Sequence, residues 1–348
     1  MTTHNDAHFE SIHAPKAKRT AVILANTGTP QAPTPEAVGV YLEEFLSHPR
    51  ICPMNPHIWK FILKHFIIPK RSVTSAEKYS HIWTEDGFKF LLDHKELAQK
   101  LTQRYQEAGY DVKVAVGMSF GQPSLPSVMK FLKQEGYERL LVLPLYPQNA
   151  FSQASIVADQ AFEAAKETGW EGKLEVVPDY SANPRYLQAI ADTVRNSEFD
   201  PSQGDRLLLS YHSVPMVDIN NGDTYRDMTQ LTSENVARLL GLDKDQWFIS
   251  YQCRFDKERA WVSPFVRDVF AEIVKKGING KLYMICPNFS VDCLETYYDI
   301  GYELQPVWSE TLQKAGLSAQ EHPLVYLPCL NASDAHVEVV MSVLSSLL

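Results

Sequence analysis

The sequence predicts an α/β fold of two similar domains, each a parallel sheet flanked by helices, and three observations lead to it. The chain has 348 residues, which is long for one domain and ample for two. Its apolar runs are continuous rather than alternating, as expected of strands that are buried on both faces. Amphipathic helical segments separate nearly all of these runs, and strands that alternate with helices form parallel sheets. Such domains are Rossmann-like.

The strands follow the apolar runs, and each half of the chain has its own set. In the first half the predicted strands are residues 20–25, 112–118, 140–145 and 174–177. In the second half they are residues 206–211, 247–251, 282–285 and 324–327. The predicted helices are residues 35–47, 91–108, 125–135, 155–168, 183–196, 225–240, 263–276, 293–315 and 333–348.

A stretch rich in turn residues, 179–186, predicts the division between the two domains. The expected segments are a flexible N-terminal segment at 1–18, an N-terminal domain at 19–182 joined by the C-terminal helix 331–348, and a C-terminal domain at 183–330. The last helix has Ser333 or Asp334 as its N-cap, and we expect it to cross back to the first domain.

The charge balance argues against a nucleic-acid-binding protein. The chain carries 33 Lys and Arg residues against 42 Asp and Glu residues, a formal net charge of -9, whereas a nucleic-acid surface is basic. Five cysteines without a CxxC spacing indicate a reducing compartment rather than a disulfide framework. The N-terminus lacks the apolar core of a secretory signal, and no run approaches the ~20 apolar residues of a spanning helix. These features predict a cytoplasmic protein.

Residues 57–72, HIWKFILKHFIIPKRS, are very apolar and yet carry several cations. Two interpretations stay open. The segment can rest on a membrane surface, with its apolar side in the lipid and its basic groups near the phosphates, which places the protein peripherally at the inner face of the membrane. Alternatively, it is a helix packed in the core, or a cleft lip that grips an apolar ligand with Trp59, Phe61 and Leu63.

A histidine, His212, lies at the end of a predicted buried strand. In the run LLLSYHSVP, Pro215 cannot donate to a strand ladder, so pairing should end near Ser213. His212 then lies at the carboxyl end of a strand, where open α/β sheets hold their ligands. The alternative is a histidine that is hydrogen-bonded in the core or in a loop.

Three carboxylates, Glu295, Asp299 and Glu303, recur at every fourth position of a predicted helix. This spacing puts them in one row that drifts by about 40° per step in a regular α-helix. Like charges at this spacing destabilise a helix, so the row does not contribute to the stability of the fold. A local π-bulge would align the carboxylates better, and such bulges often mark functional sites. The alternative is a solvated acidic face.

His212 and Glu295 each follow a core strand of the second half, at the end that carries ligands. An imidazole and a carboxylate that face each other suit a divalent first-row metal such as Fe²⁺, provided open positions remain. They equally suit proton abstraction, with the histidine as base and the acidic row as the exit path. After the first strand, Gly28 predicts a tight turn that brings the backbone near a ligand.

Six blocks, in this order and spacing over nearly the whole chain, resemble the ferrochelatase family. They are LANTGTPQAPTPEAVGVYLEEFL (24–46), LPLYPQNAFSQAS (143–155), LLLSYHSVP (207–215), YQCRFDKERAW (251–261), CPNFSVDCLET (286–296) and YLPCLNAS (326–333). The resemblance implies two chelatase-like domains and an enzyme, a lyase. Its reaction inserts Fe²⁺ into protoporphyrin IX to give protohaem with release of two protons, the closing step of haem b biosynthesis.

By the same resemblance, His212 is the metal-binding and proton-accepting histidine, and Glu295 is its partner carboxylate at the metal. Asp299 and Glu303 fall on the acidic row that the family places along a π-helix. Ferrous iron is then the substrate metal, and no iron–sulfur cluster is expected, since the cysteine-rich C-terminal tail of some relatives is absent. The chain departs from the family in two porphyrin-facing loops, residues 87–90 and 149–155.

Four further residues are expected to contact the porphyrin. They are Thr27, Tyr146, Ser152 and Arg254. Arg254 belongs to a cluster with Lys257 and Arg259 that can pair with propionates, since a dicarboxylate ligand needs cations at the rim. The alternatives are packing of a strand end for Tyr146 and Ser152, and a plain surface cluster for the cations.

Two other functions stay open on the sequence alone. A related chelatase would take another tetrapyrrole or metal, such as coproporphyrin with iron or sirohydrochlorin with cobalt. A non-catalytic haem or porphyrin carrier would keep the fold, but it needs neither a base nor an acidic row. The sequence therefore favours an enzyme whose partners are a porphyrin and ferrous iron, with no nucleic acid.

Overall fold

The computed structural model describes residues 19–51, 55–254, 256 and 258–348. The segment predicted to be flexible, residues 1–18, lies outside the described residues, as do Cys52 and Lys257.

The predicted strands and helices are present with ends shifted by a few residues, and the structure adds a hairpin at 83–88, a helix at 216–220 and a helical run up to residue 82 that the patterns did not predict. The strands are β1 (Thr20–Thr29), β2 (Trp83–Thr84), β3 (Gly87–Phe88), β4 (Val112–Gly121), β5 (Arg139–Pro144), β6 (Leu174–Val176), β7 (Arg206–His212), β8 (Trp247–Gln252), β9 (Leu282–Ile285) and β10 (Leu324–Tyr326). The α-helices are α1 (Pro35–Leu46), α2 (Pro56–Ile62), α3 (Ile68–Ile82), α4 (Lys89–Glu107), α5 (Leu125–Gln134), α6 (Ala154–Thr168), α7 (Pro184–Arg195), α8 (Met216–Asn220), α9 (Tyr225–Leu240), α10 (Val266–Lys276), α11 (Gln305–Lys314) and α12 (Asp334–Leu344). The other helical pieces of the described chain are π-helical at Leu63–Ile67 and Glu295–Leu304, and a 3-10 turn at Pro201–Gln203.

The two halves build parallel sheets of the same topology. The strand orders are β4-β1-β5-β6 and β10-β9-β7-β8. In each half the first strand lies between the second and the third, and the fourth pairs with the third. The core strands are buried on both faces, as their continuous apolar runs require, and residues 21–25 have no exposed surface. The predicted fold, two Rossmann-like units with helices around each sheet, is confirmed.

This topology defines where a ligand can bind. In sheets of this order the ligand lies outside the carboxyl ends of the strands, at the point where the strand order reverses. Here that point is next to β1 and β5 in the first half and next to β7 and β9 in the second. The ends of these four strands are therefore the expected place of a site.

The C-terminal helix α12 contacts both halves of the chain. Its N-cap is Ser333, whose side chain accepts a hydrogen bond from the N–H of His336 at 3.2 Å. The helix packs against α4 and α7, and Arg104 of α4 pairs with Glu338 at 2.6 Å. These contacts tie α12 to both halves, whereas the domain limits given above remain a prediction.

The apolar segment 57–72 belongs to a longer helical run, residues 56–82, in which α2, a π-helical turn and α3 follow one another directly. One side of this run is buried. Trp59 and Leu63 pack against Leu46 of α1, and the Trp59 indole N–H donates to the Leu46 carbonyl oxygen at 2.6 Å. Part of the segment is therefore a packed helix.

The other side of the same run is open to solvent. Ile58, Phe61 and Phe66 are 57%, 58% and 67% exposed. Within the described part of the chain, no helix combines the length and the apolarity that crossing a bilayer requires. The segment thus presents an apolar surface patch.

Candidate active site

A cavity of about 420 Å³ opens at the carboxyl ends of the central strands of both sheets. Residues at the ends of β1 and β5 form one part of its wall, and residues after β7 and β9 form another. Helix α1 adds mainly apolar and aromatic side chains, and α3 adds mainly polar ones. Of the residues that the sequence predicts for the site, the cavity is lined by Thr27, Tyr146, Ser152, His212, Glu295 and Asp299.

His212 is the last residue of β7, and its ring is held in one tautomer. Its Nδ1 atom lies 2.6 Å from the carbonyl oxygen of Ser213. Since a carbonyl oxygen only accepts, Nδ1 carries the hydrogen, and in the neutral ring Nε2 keeps its lone pair. Nε2 is therefore the atom that can take a proton or bind a metal.

The backbone of His212 is held from two sides. The Tyr225 hydroxyl donates to the His212 carbonyl oxygen at 2.9 Å, and the His212 N–H donates to Oδ1 of Asn288 at 3.4 Å. Both partners are fully buried. The strand end therefore presents the imidazole from a rigid frame, which is what a positioned catalytic group requires.

Glu295 begins the π-helical segment after β9 and lines the same cavity as His212. Two tyrosines, the buried Tyr79 and the half-buried Tyr41, lie near its carboxylate. Burial raises the pKa of Tyr79 and of Tyr41, and the charge of Glu295 raises the pKa of each further. Both phenols stay neutral, so they add no negative charge near the Glu295 carboxylate.

The predicted π geometry of the acidic row is confirmed, since residues Glu295–Leu304 form a π-helical segment. Asp299 lines the cavity with a side chain that is 20% exposed, whereas Glu303 is 49% exposed and lies outside the lining. Burial raises the pKa of Asp299, and the neighbouring Glu295 raises it further. The row therefore runs from the cavity to the surface.

Asp292 anchors the start of the π-helical segment. Its buried carboxylate accepts hydrogen bonds from the Tyr326 hydroxyl at 2.5 Å and from the Asn331 side-chain amide at 2.7 Å. Both donors belong to β10 or to the loop after it. A buried carboxylate that accepts several hydrogen bonds is held in one position. Asp292 therefore fixes the backbone three residues before Glu295.

On the side of the first half, Thr27 and Tyr146 form one hydrogen-bonded unit. The Thr27 N–H donates to the Tyr146 hydroxyl at 3.0 Å, and the two hydroxyl groups are also in hydrogen-bond contact. The adjacent Gly28 has a φ of +104°, and a Cβ there would lie 1.9 Å from the carbonyl oxygen of Phe120. Only glycine lets β1 run this close to β4 beside the cavity.

The structure separates the two described arginines that were predicted for the propionates. Arg259 lines the cavity. Arg254 is exposed and lies outside the lining, with its guanidinium 5.4 Å from the ring centroid of Phe265. The pattern of the sequence does not distinguish the two, because both stand in one irregular loop.

The segment predicted as a possible cleft lip does not line the cavity with the residues that were named for it. Trp59 and Leu63 are buried against α1, and Phe61 points to solvent. The residues of this helical run that do line the cavity come later in the chain and belong to α3. The prediction of a lip at these three positions is therefore wrong, because they lie on other faces of the helix.

Several lining residues carry no local signal of a site, and only the resemblance to the family marks 87–90 as a porphyrin-facing loop. The main ones are Tyr41, Arg50, Arg71, Lys78, Phe88 and Phe90. They come from α1, from the residues that follow it, from α3, from the hairpin of β2 and β3 and, for Phe90, from the first turn of α4. The hairpin has two residues in each strand, which are too few for a period to appear.

The arrangement offers one imidazole nitrogen and one carboxylate to the same space. Such a pair suits a divalent first-row metal and leaves coordination positions for a substrate. Among the described residues, no three His, Cys, Asp or Glu side chains gather into a metal cluster. The free Nε2 atom of the same imidazole can also accept a proton.

Two like-ordered parallel sheets that share one cavity at their strand ends define an α/β protein of the Rossmann-like class. A multi-domain protein from Deinococcus radiodurans, described as structurally similar to chelatases, shares the fold with a TM-score of 0.52 at 11% identity. The match covers 94% of this chain and 55% of that one. At this identity the likeness shows the fold alone.

Sequence comparison identifies the family. The ferrochelatase family model matches residues 19–347. The chain is 36% identical over 323 residues to the ferrochelatase of Vibrio cholerae, covering 93% of this chain and 96% of the relative. It is 35% identical over 329 residues to the ferrochelatase of Escherichia coli, covering 94% and 98%. The chain therefore belongs to the ferrochelatase family, a family of enzymes, and the resemblance stated from the sequence is confirmed.

Proposed function

We propose that this protein inserts Fe²⁺ into protoporphyrin IX to give protohaem, the closing step of haem b biosynthesis. Membership of the ferrochelatase family supports the reaction class. One observation carries the assignment: His212, the last residue of β7, keeps a lone pair on Nε2, and Glu295, at the start of the π-helical segment after β9, lines the same cavity.

The chemistry requires that two pyrrole N–H protons leave as one Fe²⁺ enters. The neutral imidazole of His212 accepts a pyrrole proton at Nε2, while its Nδ1–H remains bonded to the Ser213 carbonyl. Glu295 supplies the anionic oxygen that iron meets as it loses its water shell. Asp299 and Glu303 continue the row to the surface, which makes it the exit path for released protons.

The apolar walls hold the macrocycle, and a close fit can bend the ring so that its nitrogen lone pairs become accessible. Thr27, Tyr146 and Ser152 are proposed to contact it. Arg259 is better placed than Arg254 to pair with a propionate, because only Arg259 lines the cavity. A contact between Arg254 and the porphyrin remains a prediction.

An anaerobic metallation assay tests the function. Purified protein with Fe²⁺ and protoporphyrin should form haem catalytically, as followed by the absorption spectrum. A carrier would stop at one equivalent of bound ligand. A chelatase of another tetrapyrrole would process coproporphyrin with iron, or sirohydrochlorin with cobalt, faster than protoporphyrin. Either of these outcomes contradicts the proposal.

We also propose that the protein holds no iron–sulfur cluster and binds no nucleic acid. Burial raises the pKa of Cys286, Cys293 and Cys329 well above the usual value, which disfavours the thiolates that a cluster needs. The net charge of -9 disfavours a polyanion. Sulfide analysis of the purified protein and a DNA-binding titration at low salt should both be negative.

We propose, further, that the protein is cytoplasmic and that the patch of Ile58, Phe61 and Phe66 contacts the inner face of the membrane. Lys60 and Lys64 are exposed in the same helical run. Apolar side chains flanked by ammonium groups suit an interface with anionic lipid, where the former enter the acyl region and the latter meet phosphates.

Flotation with lipid vesicles tests this contact. The wild type should float with phosphatidylglycerol vesicles more than with phosphatidylcholine vesicles, and Phe61→Ser/Phe66→Ser should float with neither. Phe131→Ser removes a similarly exposed ring from α5 and should float like the wild type. Equal flotation of the double variant and the wild type would disprove the contact.

A further inference from the structure

Lys78 of α3 pairs with two carboxylates of the acidic row at once. Its Nζ atom lies 3.1 Å from Oδ1 of Asp299 and 2.8 Å from Oε1 of Glu303. The same atom lies 5.0 Å from the ring centroid of Tyr298. Lys78 also lines the cavity. The outer half of the row therefore already holds a cation, the ammonium of this side chain.

Asp299 has a partner on each carboxylate oxygen. Oδ1 accepts from Lys78, and Oδ2 accepts a hydrogen bond from the Cys253 thiol at 3.2 Å. Burial raises the pKa of Cys253, and the charge of Asp299 raises it further, so the thiol is a neutral donor. Asp299 is thus fixed between α3 and the loop after β8.

The same ion pair joins two walls of the cavity. The wall from α3 is polar, and the wall from the π-helical segment carries Glu295. His81 follows Lys78 on α3 and packs against Tyr298 and Tyr302, with ring centroids 5.6 Å and 5.5 Å away. Lys78 and His81 therefore set the position of the π-helical segment relative to α3.

We propose that Lys78 is a positioning residue that excludes divalent metal from Asp299 and Glu303 and so leaves Glu295 as the carboxylate that meets iron. The inference rests on the proposed iron insertion. A tethered ammonium competes for the same oxygens at a high effective concentration. A metal ion needs several oxygen ligands, whereas a proton needs one oxygen, so the row stays usable as a proton path.

The charges of the row require such a cation. Carboxylates at every fourth position repel each other, and the repulsion grows where burial removes water from around them. Without Lys78, Asp299 and Glu303 would form an unneutralised pair that attracts a divalent ion from solution. The ammonium thus takes the place that a divalent ion would otherwise occupy.

Binding of Mn²⁺ to the metal-free protein, without porphyrin, tests the exclusion. Lys78→Met removes the charge and keeps the length of the side chain. This variant should bind one Mn²⁺ per chain about tenfold or more tightly than the wild type, as measured by the EPR signal of free Mn²⁺. Adding Asp299→Asn to Lys78→Met should abolish the gain. If Lys78→Met binds Mn²⁺ no better than the wild type, the proposal is wrong.

Lys276→Met is the matched control. Lys276 pairs with Glu272 at 2.6 Å and lies 5.1 Å from the ring centroid of Phe248, so it makes the same kinds of contact away from the cavity. This variant, and Lys78→Arg, which keeps a cation in place, should bind Mn²⁺ as the wild type does. A gain of affinity in either of them contradicts the proposal.

Hydrogen exchange tests the positioning role and depends on no metal. Residues 68–82 and 295–304 should exchange faster in Lys78→Met than in the wild type, and not in Lys276→Met. Unchanged exchange in both segments refutes this role, and circular dichroism shows whether the variant is folded. Lys78→Gln serves as the second variant if Lys78→Met does not fold.

Kinetics of iron insertion connect the inference to the reaction. In Lys78→Met the kcat and the KM for Fe²⁺ should fall together by a similar factor, with kcat/KM little changed, because iron held at the outer carboxylates is bound non-productively. An unchanged KM contradicts the proposal. A wild type that inserts no iron would refute the proposed function, yet the Mn²⁺ comparison would still decide whether Lys78 excludes metal.

Discussion

The Nδ1 atom of His212 lies 2.6 Å from the carbonyl oxygen of Ser213, the next residue in the chain. Because the partner is adjacent in sequence, the tautomer of the ring is set locally. The fold contributes the cavity and the wall that carries Glu295. The tautomer of His212 and the surroundings of its ring thus have separate structural origins.

Replacing the base should abolish most of the turnover. We expect His212→Ala to lower kcat by about 10²–10⁴-fold, because the pyrrole proton loses its acceptor. Haem formation measured under anaerobic conditions gives the rate, and circular dichroism checks the fold. His322 also has its Nδ1 atom near a backbone carbonyl, 2.9 Å from that of Gly280, but lies outside the cavity lining, so His322→Ala should keep the wild-type rate. A near-normal rate for His212→Ala would refute the assignment.

Glu295 should matter for the chemical step more than for porphyrin binding. We expect Glu295→Gln to lose about 10²-fold in kcat, since the amide keeps the shape but not the charge that attracts iron. Quenching of protein fluorescence by porphyrin should remain as in the wild type. Glu310→Gln, on the exposed face of α11, is the control. Equal kcat values for the two variants would count against a role for Glu295.

Gly28 should tolerate no side chain. Gly28→Ala places a Cβ 1.9 Å from the Phe120 carbonyl oxygen at a φ of +104°, and the backbone strain alone costs roughly 1–3 kcal/mol. Urea unfolding should show a large loss of stability. Gly301→Ala, where a Cβ has no neighbour within 4 Å, should be neutral or slightly stabilising. Equal stabilities of the two variants would contradict this account of the β1–β4 contact.

Two buried histidines predict loss of stability in acid. Burial lowers the pKa of His94 and of His336 from 6.5 to about 4. Between pH 4 and pH 6.5 the unfolded chain binds more protons than the folded chain. The free energy of unfolding is therefore highest above pH 6.5, and it decreases by about 3 kcal/mol for each ring as the pH falls towards 4.

Urea unfolding at a series of pH values measures this loss. His336→Asn removes one of the two titrations and should make the dependence of the unfolding free energy on pH less steep. An unfolding free energy that is equal at pH of about 7 and about 4.5 would show that the rings are not buried as neutral groups.

The sequence predicts the fold well because burial on both faces of a strand leaves a local mark. The run at 282–285 and the strand β9 (Leu282–Ile285) agree at both ends. The row of Glu295, Asp299 and Glu303 was also visible as a spacing of four, whereas its π geometry was implied by the resemblance to the family. In both cases the signal lies within a few residues.

The contacts of the site depend on distant parts of the chain, and no local pattern reports them. Lys78 and Asp299 are separated by 221 positions in sequence. The choice of Arg259 over Arg254 for the cavity depends on the path of an irregular loop. Such pairings arise only when both halves are packed.

The sequence by itself determined the fold class, the position of His212 at the end of a buried strand and the row of carboxylates, because the periodicity and continuity of apolar residues record local burial. Only the tertiary structure decided which cations reach the cavity, which side of residues 57–72 faces solvent, and that Lys78 occupies the outer carboxylates. The physical reason is that these features depend on where distant segments meet, and a contact between two helices is specified by their joint packing rather than by either segment.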